Sequence, residues 1–143
     1  MKFIIRPYEG AGAVRFGMCR SEVLRLEDAP ESTRKKRSGE IEDRWIDRAV
    51  RYSKDTEIVV EIEFDDNPDL EFDGFKVFSD PDAFKKLLRI DGGALSSVGT
   101  VVLPRLGLSL WNMEGMSSPR TVCLFCRGRW DHKLSALTPY RVT

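Results

Sequence analysis

The clearest pattern in the chain is a two-residue alternation. Ile58, Val60, Ile62 and Phe64 alternate with Glu57, Val59, Glu61 and Glu63, and they predict a half-buried antiparallel strand whose four apolar members face a core. A partner segment, Trp45 to Tyr52, precedes it, and Ser53-Lys54-Asp55-Thr56 between them reads as a hairpin turn. Lys2 to Tyr8 and Val14-Arg15-Phe16 read as short extended pieces on either side of a glycine-bearing turn. Leu70 to Phe78 predicts another strand, bent at Asp73-Gly74. The last third offers Thr100 to Leu103, Gly107 to Trp111, Thr121 to Cys126 and a weaker strand-like piece from Trp130 to Leu137.

Two stretches carry helical signals instead. With Cys19 at the cap, Glu22 falls at the third helical position and Met18 and Val23 form the halves of a hydrophobic staple. Sulfur replaces the usual Ser or Thr oxygen, so the cap is a weak one. The second helix is predicted to start with Asp80 as cap and Pro81 as first residue, to carry Phe84, Leu87 and Leu88 on one face, and to stop at Gly92-Gly93. Between the first helix and the hairpin, residues 29–42 are polar and contain Arg34-Lys35-Lys36-Arg37, which reads as an exposed, mobile loop. The order is strand, helix, strands, helix, strands, so the helix-then-strands unit occurs twice. The predicted fold is α+β, a mainly antiparallel sheet with two helices in a single domain over residues 1–143.

With 143 residues, 41% of them apolar, the chain is long enough to bury a core. Its 23 basic residues balance 23 acidic ones, which argues against a dedicated nucleic-acid binder. The N-terminal apolar run is too short for a signal peptide, and no run suits a membrane span. Three cysteines, an odd number, fit reduced thiols, and a cytoplasmic location is expected.

Most candidate chemistry fails on spacing. Gly10, Gly12 and Gly17 do not make a nucleotide-binding fingerprint, because Arg15 stands where the third glycine belongs. Cys19, Cys123, Cys126 and His132 are a chemically legitimate zinc set. However, a single CxxC without a second knuckle reads as structural cysteines, so neither metal nor cofactor is expected. His132 beside Asp131 does not read as part of a hydrolase triad, since strand neighbours point apart. Trp45, Trp111 and Trp130 read as core or core-edge residues, one of which could anchor an interface.

The acidic segment is the sharper signal. Glu61, Glu63, Asp65, Asp66, Asp69, Glu71 and Asp73 fall within thirteen residues. A calcium loop would need Gly where Leu70 stands and Glu where Lys76 stands. The segment is either a solvated strand face and turn or an electronegative surface for a basic partner.

Several segments together resemble a known pattern: "IRPYEGAGAVRFGMCRSEV", "VVEIEF", "LEFDGFKVF", "DPDAFKKLL", "LGLSLW" and "RTVCLFCRGRWD". They resemble small bacterial α+β proteins associated with toxin–immunity loci, and the GM-x-x-x-E-V element is similar to that of β-lactamase inhibitory proteins. The resemblance implies an immunity protein without enzymatic activity. Such a protein would bind a cognate toxin encoded by an adjacent gene and occlude its active site through the acidic segment. The alternative is a small enzyme or ligand-binding domain that uses sheet-face carboxylates.

Overall fold

A computed structural model describes residues 2–115 and 118–141. The described elements are, in chain order, β1 (Phe3–Arg6), β2 (Gly10–Ala11), β3 (Val14–Arg15), α1 (Arg20–Leu26), β4 (Ser32–Lys35), β5 (Ile41–Arg44) and β6 (Arg48–Tyr52). They continue with β7 (Val59–Asp65), β8 (Leu70–Phe72), β9 (Phe75–Lys76), α2 (Ala83–Asp91), β10 (Leu95–Ser97), β11 (Thr100–Leu103), β12 (Leu108–Trp111), β13 (Thr121–Phe125), α3 (Asp131–Leu134) and β14 (Thr138–Pro139). Fourteen strands in two sheets outweigh three short helices, so the chain is mostly β. This corrects the α+β reading with two helices, although the dominance of antiparallel pairing holds.

The larger sheet has the order β14-β10-β11-β12-β13-β7-β6-β5-β4, with every pair antiparallel. It consists of two four-stranded meanders, β4 to β7 and β10 to β13, joined where β7 pairs with β13, with β14 added beside β10 at one edge. Each meander follows a helix, so the unit seen twice in the sequence is a helix plus a meander. The smaller sheet, β3-β2-β1-β8-β9, contains a parallel pair between β1 and β8.

The two sheets, α1 and α2 share one core. Val50, Ile62, Phe64, Leu124, Val122, Leu108 and Leu110 line one face of the larger sheet, and Val23 of α1, Leu87 of α2 and Phe3 of β1 belong to the same cluster. The Phe3 and Phe64 rings lie 5.3 Å apart. The Arg48 guanidinium caps this corner, 4.9 Å from the Phe3 ring centre and 4.8 Å from that of Trp45.

The alternation in β7 is interrupted in a way that one-dimensional periodicity does not show. Arg51 pairs with Glu61 and Tyr52 pairs with Val59, so Val60 is the extra residue of a bulge. Beyond it the faces exchange: Ile62 and Phe64 are buried as predicted, but Val59 is buried in place of Ile58 and Val60. Asp73 (φ 47°) and Gly74 (φ 84°) both take left-handed backbone, which makes the predicted bend a tight two-residue hairpin between β8 and β9.

The predicted 29–42 loop contains β4 and the start of β5, which form a hairpin closed at residues 36–40. The stretch from Trp130 to Leu137 forms the turn of α3 where a strand was predicted. Helix α2 begins at Ala83 with Asp82 as cap, later than predicted, since Asp80 Oδ1 accepts the Asp82 N–H at 2.8 Å and holds the chain in a turn. Its stop at Gly92 (φ 70°) is as predicted. Cys19 occupies the α1 cap position without a side-chain cap bond to the backbone; its thiol approaches Glu22 Oε1 at 3.3 Å. Among the described residues, no helix is long and apolar enough to cross a membrane.

The bulge gives a test. Ile62→Ala should cost about 2–5 kcal/mol in urea unfolding, because Ile62 lies in the shared core. Val60→Ala should cost less than about 1 kcal/mol, as expected of a partly exposed site. Equal losses would place the bulge elsewhere.

Candidate functional site

The face of the larger sheet opposite α1 and α2 carries most of the molecule's ordered charge. In the alternation Glu61, Glu63 and Asp65 project to this face, and the pairing register continues it sideways. Glu63 sits between Ala49 and Cys123, and Asp65 is beside Thr121, which is beside Trp111. Glu42 and Arg44 of β5 and Arg34 of β4 complete the charged half.

Arg51 is its centre. Its Nε donates to Glu42 Oε1 at 2.9 Å, Nη1 to Glu61 Oε2 at 2.8 Å and Nη2 to Glu63 Oε1 at 2.6 Å. The Arg51 side chain is 10% exposed and those of Glu61 and Glu63 are 13% exposed. Arg44 donates to Glu63 at 2.7 Å and to Asp65 at 3.1 Å, Arg34 donates to Glu42 at 2.9 Å, and Thr121 Oγ1 donates to Asp65 at 2.8 Å. Arg129, just beyond β13, donates to Glu40 at 2.8 and 3.1 Å and to Glu61 at 3.2 Å.

These contacts set the protonation states. Burial alone would raise the Glu63 carboxyl, but hydrogen bonds from Arg44 and Arg51 outweigh it and hold it at about 2. Glu42 is likewise buried and likewise held low by Arg34 and Arg51. Asp65 moves the other way, raised by burial and by its nearness to Glu63. The Cys123 thiol lies 3.9 Å from Glu63 Oε1, and burial together with the Glu61 and Glu63 charges pushes its pKa up. A thiol held protonated is a poor nucleophile and a poor metal ligand.

The seven acidic residues therefore do not share one surface. Glu61, Glu63 and Asp65 belong to the sheet face. Asp66 turns off its end, where Arg120 Nε and backbone N–H both bind its carboxylate, at 2.9 and 3.1 Å. Asp69 precedes β8, Glu71 lies in β8 with Lys2 at 3.7 Å, and Asp73 occupies the exposed β8–β9 turn. On the sheet face the carboxylates are interleaved with arginines and do not form a bare acidic patch.

The other candidates fall apart in space. Cys19 starts α1, Cys123 is on the charged face, Cys126 follows β13 and His132 is exposed on α3. All three cysteines are half-buried free thiols. Among the described residues, no three His, Cys, Asp or Glu side chains gather as a metal-binding group. Trp45 is buried and Trp130 half-buried, but Trp111 is 45% exposed on the charged face.

Of the arginines on that face, only Arg34 stands out in the sequence, as part of a basic run read as a loop. The signal for the others was a period of two in charge: Glu42 and Arg44 on one strand, and Arg51 brought opposite Glu61 by the hairpin turn that follows it. No protein-family model matches the chain, and no match was found among curated proteins or solved structures.

Removing the central cation should be costly. Arg51→Met leaves three buried carboxylates without their shared partner, and about 3–5 kcal/mol of stability should be lost at pH 7. The Glu63 carboxyl sits below its ordinary 4.5 at about 2, so its stabilisation is present above 4.5 and lost as pH falls toward 2. Asp65, raised, contributes with the opposite sign and reduces the net loss. Urea unfolding at pH 7 and pH 3 should show a steep acid loss in the parent and a shallower one in Arg51→Met. Parallel losses would mean that Arg51 does not set the carboxylate ionisation.

Proposed function

We propose that this chain is an immunity-type protein that binds a cognate bacterial toxin domain and neutralises it by covering its active site, with the charged face of the larger sheet as the docking surface. The observation that carries this reading is the combination on one face of pre-ordered arginine–carboxylate pairs and the exposed Trp111. Arginine and tryptophan are enriched at protein interfaces, where a few residues dominate the binding energy. Arg44 and Arg51 are already fixed by hydrogen bonds, so docking would cost less side-chain entropy than docking on free lysines. Helices α1 and α2 and the smaller sheet pack on the opposite face, so that α3 and its flanking segment cover only the end of this one where β7 begins.

Glu61 and Glu63 serve this reading better than an enzymatic one. Both are committed to arginines, and Glu63 is held too acidic to act as a general base near neutral pH. In this reading the paired charges of Glu61, Glu63 and Asp65 position the partner and play only a minor part in long-range attraction.

The product of the adjacent gene is the partner to test, by co-expression for protection and by binding kinetics for affinity. Trp111→Ala should weaken the complex by about 2 kcal/mol or more, roughly thirtyfold in Kd, mainly through faster dissociation. The association rate should change little with ionic strength, since cations on this face offset its carboxylates. An unchanged Kd for Trp111→Ala would move the docking surface elsewhere. Absence of binding and protection would overturn the immunity reading.

A further inference from the structure

At the end of the sheet face where β7 begins, three stretches of chain close around a cleft of about 550 Å³. The β4–β5 turn brings Lys36, Arg37, Ser38 and Glu40, β7 brings Glu61, and the segment after β13 brings Arg129, Trp130, His132 and Lys133. We propose that this cleft binds a phosphorylated small molecule, with its phosphate held by Lys36, Arg37 and Lys133 and its remainder lying against Trp130. The site is separate from the docking role of Trp111.

Charge selects the anion. Four permanent cations face two carboxylates in a chain whose net charge is zero. Arg129 spans both Glu40 and Glu61, and Glu61 also accepts from Arg51, so the two carboxylates are already satisfied. Hydrogen bonding to Arg129 holds the Glu40 carboxyl below the usual carboxylate range, which keeps that pair ionised and closed to an incoming cation. Lys36, Arg37 and His132 make no side-chain hydrogen bond or ion pair among the described residues. Lys133 Nζ lies 5.2 Å from the Trp130 ring centre, a cation–π contact that a phosphate could draw on without breaking an ion pair.

Shape selects a small ligand. The volume falls within the ~300–1,000 Å³ of ordinary small-molecule sites. A nucleic-acid strand needs a continuous row of cations along its backbone, whereas here Glu40 and Glu61 interrupt the row. Trp130 is braced by Phe125, with ring centres 5.9 Å apart, and forms a fixed flat wall beside the cations. A phosphate next to such a wall suits a ligand with a planar group, of which a nucleoside monophosphate is the simplest probe.

The test is calorimetric titration of the protein with pyrophosphate, adenosine monophosphate, uridine monophosphate, sulfate and a single-stranded oligonucleotide. Tryptophan fluorescence, compared between the parent and Trp130→Phe to remove the contribution of Trp45 and Trp111, provides a second readout. Both monophosphates should bind more tightly than sulfate, and Lys36→Ala/Arg37→Ala should weaken them about tenfold or more. That pair lies on a turn, and an unchanged unfolding curve would certify the fold of the variant. Trp130→Phe should weaken the monophosphates while leaving pyrophosphate nearly unaffected. The proposal is overturned if no phosphate compound binds, if sulfate binds equally well, or if the double variant binds like the parent. Preference for the oligonucleotide, with a steep salt dependence, would also overturn the small-molecule assignment.

Discussion

The Arg51 guanidinium is the constraint around which the larger sheet is arranged. A guanidinium offers five N–H donors in a rigid plane, and here they reach carboxylates on the strand before its own and the strand after it. Without that fork, Glu42, Glu61 and Glu63 could not sit so close together and so little exposed, because each buried negative charge would raise the energy of the next. Buried ion pairs of this kind add little net stability compared with a well-packed apolar core, yet they are unforgiving of alternatives. A register slip of one residue along β6 or β7 would put the arginine into the core and Ile62 into water. The network therefore specifies the pairing of three strands more than it strengthens it.

Much of this was legible where apolar residues alternate. The β6–β7 hairpin, the run from β11 to β13 and the stop of α2 at Gly92 follow from patterns that the sequence displays directly. The β4–β5 hairpin was hidden because nothing apolar alternates in it: Ser32, Thr33, Arg34 and Lys35 are all exposed, and cross-strand bonds such as Arg34 to Glu42 and Thr33 to Asp43 hold it together. Periodicity sees burial, and this hairpin has almost none on its outer strand. The Val60 bulge was hidden for another reason. A run of Ile58, Val59 and Val60 is apolar on both faces, so the pattern does not say which residue is the extra one.

The acidic segment shows the limit of reading charge along one chain. Seven carboxylates in thirteen positions look like an electronegative patch, but four of them, Glu61, Glu63, Asp65 and Asp66, find arginines on β5, β6 and the segments flanking β13. Neutralisation is a property of the folded sheet, and only the register reveals it. The joining of the two meanders matters in the same way. By pairing β7 with β13, the chain puts Glu63 beside Cys123 and Asp65 beside Thr121, and so runs the charged half of the face into the half that carries Trp111.

The outermost strand, β4, has a consequence for how the molecule behaves in a crowd. A nine-stranded antiparallel sheet ends in a row of unpaired peptide groups that could template growth by any extended chain. Here that rim is a short strand of four polar residues followed by Lys36 and Arg37, and it points a dense positive charge at anything approaching edge-on. A second copy would bring the same charge and be repelled. The polar composition that conceals β4 from pattern recognition thus also disfavours pairing of this edge with the same edge of a second copy.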